Sequence, residues 1–216
     1  MTIKYLITDV DGVVFDTMPT ILKVFSKAMR RLEIPDEQTT SFLRDSLGKP
    51  IEFQIKGIMA KAGKPVSEND MQLVINDFWN EYSGNPAKIF PGVKTTLYEL
   101  KKRDVRILAS SGSTTAELDR LFREFELPYD FFLGSDKILK GDGHIEIFAQ
   151  HFGVKKTDFC ARAVFVGDGT ADMQIASHNR IFGIGITNSI PADTLILAGA
   201  QAIIANFPEV VKLLEE

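Results

Sequence analysis

The spacing of apolar positions changes character along this chain. Residues 3–7 form a short apolar run that is partly β-branched, the pattern of a buried strand. Over residues 17–32 the apolar positions Ile21, Phe25, Ala28, Met29 and Leu32 recur at helical intervals, which predicts one amphipathic helix. Ile51, Ile55, Ile58, Met59 and Ala62 repeat that spacing and stop at Gly63. Ser67 followed by Asp70 reads as a helix start, and Met71, Val74, Ile75, Phe78, Trp79 and Tyr82 give the helix its apolar face. No strand pattern falls between residues 17 and 83, and Ser83-Gly84-Asn85-Pro86 then breaks the periodicity.

From Phe90 onward the pattern alternates. A helix over 93–103 leads to an apolar strand over 105–110 that ends in Ser110-Ser111-Gly112-Ser113. Thr114 with Glu117 is a capping-box start for a helix whose face is Leu118, Leu121, Phe122 and Phe125. Residues 131–133 are a short strand, followed by a loop over 137–143 and a helix to His151. The strand at 163–166 ends in Gly167-Asp168-Gly169-Thr170-Ala171-Asp172, and the strands at 181–186 and 202–205 are each followed by a helical pattern. Short apolar strands alternating with helices predict an α/β fold: a Rossmann-like parallel sheet with helices on both faces. The pattern divides the chain into a core over 1–16 and 87–216 and an inserted α-helical cap over 17–86. In such sheets ligands bind outside the carboxyl ends of the strands. Three polar clusters stand at strand ends: Asp9 with Asp11, Ser110 with Ser111, and Asp168 with Asp172.

Composition narrows the function classes. With 216 residues, 44% of them hydrophobic, the chain can bury one full core and a smaller second unit. A net charge of -4 without a basic block argues against nucleic acid as the main partner. One cysteine, Cys160, excludes an internal disulfide and suits a reducing cytoplasm. The first strand is too short for a signal peptide and runs into Asp9 and Asp11, and the apolar stretch 195–205 is interrupted by Gly199 and Gln201. These features predict a cytoplasmic protein that is not inserted in a membrane, of undetermined oligomeric state.

Asp9 and Asp11 are spaced i, i+2 after a strand, so both side chains leave on the same side and repel unless a cation or phosphoryl group joins them. Their Asp-Val-Asp-Gly is not an EF-hand loop, because Val13 and Thr20 stand where that loop needs an oxygen ligand and a closing Glu. Each cluster taken singly also reads as a capped turn, and a loop lysine is ordinarily solvated. Cys160 reads as a packed thiol, and His144 and His151 show no partner in the sequence. The three clusters and the loop lysine Lys140, four features in this order, are poorly explained as four independent turns.

Together they resemble the haloacid dehalogenase superfamily of phosphohydrolases, over nearly the whole chain. Asp9-Val10-Asp11-Gly12 is similar to its first motif, Ile107-Leu108-Ala109-Ser110 to its second, Lys140 to its third, and Gly167-Asp168 with Asp172 to its fourth. The helical insert and Phe90-Pro91-Gly92-Val93 resemble the branch of phosphoglycolate phosphatase and β-phosphoglucomutase. That branch usually follows its lysine with a proline-rich turn, whereas this chain has Lys140-Gly141-Asp142-Gly143, which leaves Lys137 as a competitor.

The resemblance implies a Mg²⁺-dependent phosphatase acting on a small phosphorylated metabolite. In it Asp9 would be the nucleophile and form an aspartyl-phosphate, and Asp11 would be the general acid and base. Mg²⁺ would be held by Asp9, Asp168 and the backbone carbonyl of Asp11, with Asp172 binding directly or through water. Ser110, the amides of Ser111 and Gly112, and the Lys140 ammonium would hold the phosphoryl oxygens. Residues 44–64 carry five basic residues against Asp45 and Glu52, and Leu47-Gly48-Lys49-Pro50 reads as a tight turn, so Lys49 is a candidate for substrate specificity. The alternatives are a phosphosugar mutase using the same residues, and a catalytically idle phosphate-binding regulatory protein. A dehalogenase needs neither Asp11 nor a metal.

Overall fold

The computed structural model describes residues 3–46, 49–82 and 87–215. Strand β1 (Tyr5–Thr8) is buried along its whole length. The chain then leaves the sheet for four helices: α1 (Met18–Met29), α2 (Asp36–Asp45), α3 (Ile51–Lys61) and α4 (Glu68–Tyr82). It returns through α5 (Val93–Lys102), β2 (Arg106–Ser110), α6 (Thr115–Glu124) and β3 (Phe131–Leu133). Next come α7 (Asp142–His151), α8 (Lys156–Cys160), β4 (Ala163–Gly167), α9 (Thr170–His178) and β5 (Phe182–Ile186). The chain closes with α10 (Ala192–Leu197), β6 (Ala202–Ile204) and α11 (Glu209–Leu213).

The six strands form one parallel sheet in the order β3-β2-β1-β4-β5-β6, the expected Rossmann-like α/β arrangement. Period-two alternation sends Leu6, Ile107 and Val164 to a cluster with Leu97, Leu121 and Val210. Tyr5, Ile7, Leu108 and Phe165 go to the opposite cluster with Ile145, Phe148 and Phe159. Each fully buried Leu, Ile or Phe contributes about 1.5–3 kcal/mol, so both helix layers are held by the same strands. Thr8 stands opposite Ala109 on β2 and Val166 on β4. The three central strands therefore end level, which brings Asp9, Ser110 and Asp168 to one edge of the sheet.

Helices α1 to α4 close around their own cluster, including Phe25, Met29, Leu43, Ile55, Ile58, Val74 and Phe78. Helix α1 begins at Met18 and passes into a 3-10 turn at Arg30–Leu32. Ser67 accepts the Asp70 amide at 3.1 Å, as its position ahead of α4 predicts. Helix α2 has no counterpart in the apolar pattern. It carries only Phe42 and Leu43 as large apolar residues, and Pro35 with Asp36 and Glu37 supplies its start. The two passages between sheet and insert run side by side: Phe15 bridges Ile89, and the Asp16 amide donates to Lys88 O at 2.7 Å. The expected chain break at 83–86, and Leu47 and Gly48 of the expected turn, lie outside the described residues. Among the described residues no helix is long and apolar enough to cross a membrane.

Candidate active site

The end of β1 delivers Asp9 into a buried charge cluster. Lys140 Nζ lies 2.8 Å from Asp9 Oδ2 and 2.6 Å from Asp172 Oδ1, and its side chain is 2% exposed. Lys137 is exposed, so the structure places Lys140 rather than its competitor at the strand ends. Carboxylate oxygens of Asp9, Asp168 and Asp172 all lie within 4.8 Å of one another. Asp9 Oδ1 accepts the Val10 amide at 2.7 Å, Asp172 Oδ2 accepts the Gly169 amide at 3.1 Å, and Asp168 Oδ2 accepts the Ser189 hydroxyl. Gly12 has φ +77°, and a Cβ there would stand 1.9 Å from Asp168 Oδ2. The motif glycine is therefore required by both the turn and the neighbouring carboxylate.

Three carboxylates face one ammonium, and the titration behaviour follows. Burial, then the neighbouring Asp172 and Asp168 charges, hold Asp9 well above the usual carboxylate range, against the pull of Lys140. Burial and Asp172 push Asp168 up to about 7. Burial works against the Lys140 ammonium, but the Asp172 and Asp9 charges outweigh it and keep its pKa above the ordinary value. Lys140 Nζ and Asp172 Oδ1 pair by charge at angles that make no hydrogen bond, so both buried atoms keep unused bonding capacity. Convergent carboxylate oxygens with spare lone pairs suit a hard divalent cation, and the spare ammonium hydrogens suit an anion beside it.

Asp11 stands apart from that cluster. It is half-buried, its Oδ2 accepts the Ser113 hydroxyl at 2.9 Å, and its Oδ1 accepts the Tyr82 hydroxyl at 3.2 Å. Burial and the Asp11 charge raise the Tyr82 pKa, so the phenol stays a donor. The apolar pattern assigned Tyr82 to helix packing only; its position at the last turn of α4 puts its hydroxyl on the core. The expected contribution of Asp11 to a metal is its backbone carbonyl, and its carboxylate is held by the two hydroxyls instead.

The serine cluster after β2 differs from expectation. The Ser111 amide donates to Leu133 O at 3.1 Å, extending the sheet ladder, and the Ser111 hydroxyl accepts the Ser113 amide at 3.0 Å. Ser111 shapes the loop and has no free amide for a phosphoryl oxygen, which corrects that assignment. Ser110 is fully buried, with its Oγ 2.8 Å from His144 Nδ1. His144 Nε2 is 2.8 Å from Ile138 O, and a carbonyl only accepts, so Nε2 carries the hydrogen and neutral Nδ1 accepts from Ser110. Burial first, and the nearby Lys140, lower the His144 pKa and favour that neutral form. Ser110 has one hydrogen, so it donates to a phosphoryl oxygen only after leaving His144 or after His144 is protonated. Gly112 is exposed at the mouth, and among the described residues its amide has no partner.

Asp9, Asp11, Asp168, Gly112 and Ser113 line one cleft together with cap side chains, among them Lys49. The cleft thus joins a buried carboxylate paired with an ammonium, a separately held carboxylate and a cation-sized group of oxygens under a cap. That set is what phosphoryl transfer through a carboxylate requires.

Residues 6–186 match the haloacid dehalogenase-like hydrolase family, and the chain belongs to it. It is similar to the “Probable phosphatase IndB” of Dickeya dadantii (strain 3937), 28% identical over 214 residues, covering 95% of this chain and 91% of that protein. Its fold is that of a “Putative beta-phosphoglucomutase” from Bacteroides vulgatus, with a TM-score of 0.82 at 21% identity over 99% of this chain and 88% of that one. A “predicted phosphoglycolate phosphatase” from Haemophilus somnus 129pt superposes with a TM-score of 0.79 at 17% identity, covering 99% of this chain and 98% of that one.

Proposed function

We propose that the protein is a Mg²⁺-dependent phosphatase that hydrolyses a small phosphorylated metabolite through an aspartyl-phosphate on Asp9. The observation that carries this is the Asp9–Lys140–Asp172 ion pairing inside a three-carboxylate cluster, with Asp11 held outside it by Ser113 and Tyr82.

Asp9 Oδ attacks phosphorus and the P–O bond to the leaving alcohol breaks. Asp11 gives that oxygen its proton, then takes one from the water that hydrolyses the acyl phosphate, which frees phosphate and restores Asp9. Lys140 Nζ and the Gly112 amide meet the phosphoryl oxygens, and Ser110 joins them on turning from His144. Asp9, Asp168, Asp172 and the Asp11 carbonyl are the groups that would hold Mg²⁺, whose charge offsets the repulsion between carboxylate and phosphate. A regulatory module that only held phosphate would have no use for an acid/base carboxylate positioned by two hydroxyls. A mutase would return the phosphoryl group to a second hydroxyl of a bound sugar, so product analysis separates it from a phosphatase.

The test is release of inorganic phosphate from p-nitrophenyl phosphate. Turnover should stop with EDTA, return with Mg²⁺, and be absent in Asp9→Asn, whose circular dichroism should match the wild type. Metal-independent turnover, or turnover by Asp9→Asn, contradicts the mechanism.

A further inference from the structure

The cap side of the cleft is largely apolar. Met18, Ile21 and Phe25 from α1, Ile51 from α3, and Phe78 and Trp79 from α4 face the space above Asp9 and Asp11. Among the described residues, the cap residues with polar ends on this wall are Trp79, through its indole N–H, Lys49 and Gln54. The Gln54 amide nitrogen gives one of its two hydrogens to Ser46 O at 3.0 Å, which leaves its carbonyl oxygen and one N–H. Lys49 is exposed, and among the described residues its ammonium has no ion pair, so one cation stands at the rim of an apolar chamber.

A polyhydroxylated leaving group would bring several hydroxyls against this wall. Each one buried without a partner costs about ten- to a hundred-fold in affinity. The core residues account for the phosphoryl group, so the cap wall is what reads the rest of the substrate. We infer that the leaving group is compact and largely apolar, with one anionic group for Lys49. This rests on the phosphatase reading and adds the chemical class of the substrate.

The test compares phosphate esters of primary alcohols, so that intrinsic reactivity stays similar: benzyl phosphate, 4-(phosphooxymethyl)benzoate, ribose 5-phosphate and glucose 6-phosphate. p-Nitrophenyl phosphate serves as the activity control. Benzyl phosphate should exceed both sugar phosphates in kcat/KM by about ten-fold or more, the loss from one unmatched hydroxyl. The benzoate ester should exceed benzyl phosphate, and Lys49→Ala should remove that advantage while leaving benzyl phosphate unchanged. Ile21→Asn, checked for folding by circular dichroism, should narrow the preference for benzyl phosphate over ribose 5-phosphate; should it not fold, the wild-type panel decides alone. Sugar phosphates turned over as well as benzyl phosphate, with the control active, overturn the inference and spare the phosphatase reading. No hydrolysis of any ester, the control included, overturns both.

Discussion

Asp168→Asn removes one negative charge from a cluster in which three buried carboxylates face a single ammonium. Burial and Asp172 raise Asp168 from the ordinary 3.8 to about 7 in the folded protein. A carboxyl with a raised folded pKa stabilises the fold fully below its unfolded value, and that stability is lost as pH rises through the folded one. Between pH 4 and 8 the metal-free protein should therefore lose stability. The gap of about 3 units, at roughly 1.4 kcal/mol each, amounts to roughly 4 kcal/mol at pH 8. For a chain of this length that corresponds to about 8–16 °C in Tm. Asn keeps the shape and still accepts the Ser189 hydroxyl. Without metal at pH 8, Asp168→Asn should melt well above the wild type, and the gap should shrink at pH 5. Added Mg²⁺ supplies the missing positive charge, so it should raise the wild-type Tm more than the variant's, while the variant loses activity. Thermal melts at pH 5 and 8, with EDTA or Mg²⁺, measure all four states. An Asp168→Asn protein that melts below the wild type at pH 8 without metal would refute the reasoning.

Lys140→Met should lower kcat by about 10²–10³, the usual loss of one transition-state donor, whereas Lys137→Met, at an exposed position, should leave kcat unchanged. Steady-state kinetics on the two variants checks this, and the reverse ranking would move the lysine assignment. His144 has its pKa lowered by burial, so its stabilising effect is present above about 6.5 and is lost as pH falls through the depressed folded value. Relative to His144→Gln, the wild type should lose Tm between pH 7 and 5, and kcat should fall in the variant because Ser110 and the Ile138 carbonyl lose their shared anchor. Parallel Tm–pH curves for the two proteins would count against it.

The core sheet was legible because parallel strands buried on both faces are written as short apolar runs, and residues 3–7, 105–110 and 163–166 are of that kind. Helix α2 was not, since ten residues with two large apolar side chains carry no period; its fold comes from packing Leu43 against the cap cluster. Asp9, Asp11, Asp168 and Asp172 could be read from strand ends and local spacing. Their partners could not, because those contacts span the chain. Tyr82 meets Asp11, Ser113 meets Asp11, Ser189 meets Asp168, and His144 meets Ser110 only once the sheet is assembled. His144 did leave a trace: it sits in helical register with Phe148, on a face that proves buried. The Ser111 amide looks free in sequence, as any strand-end serine does, and only the register of β3 shows that Leu133 takes its hydrogen.

The central claim is that Asp9 is covalently phosphorylated during turnover, and one measurement addresses it directly. The enzyme is mixed with substrate and Mg²⁺, quenched in acid, and reduced with borohydride, which converts an acyl phosphate to the corresponding alcohol. Peptide mass spectrometry then locates the reduced residue. The account predicts homoserine at position 9, dependent on both substrate and Mg²⁺. Steady turnover with an unreduced Asp9, or with the label on Asp11, Asp168 or Asp172, would contradict it.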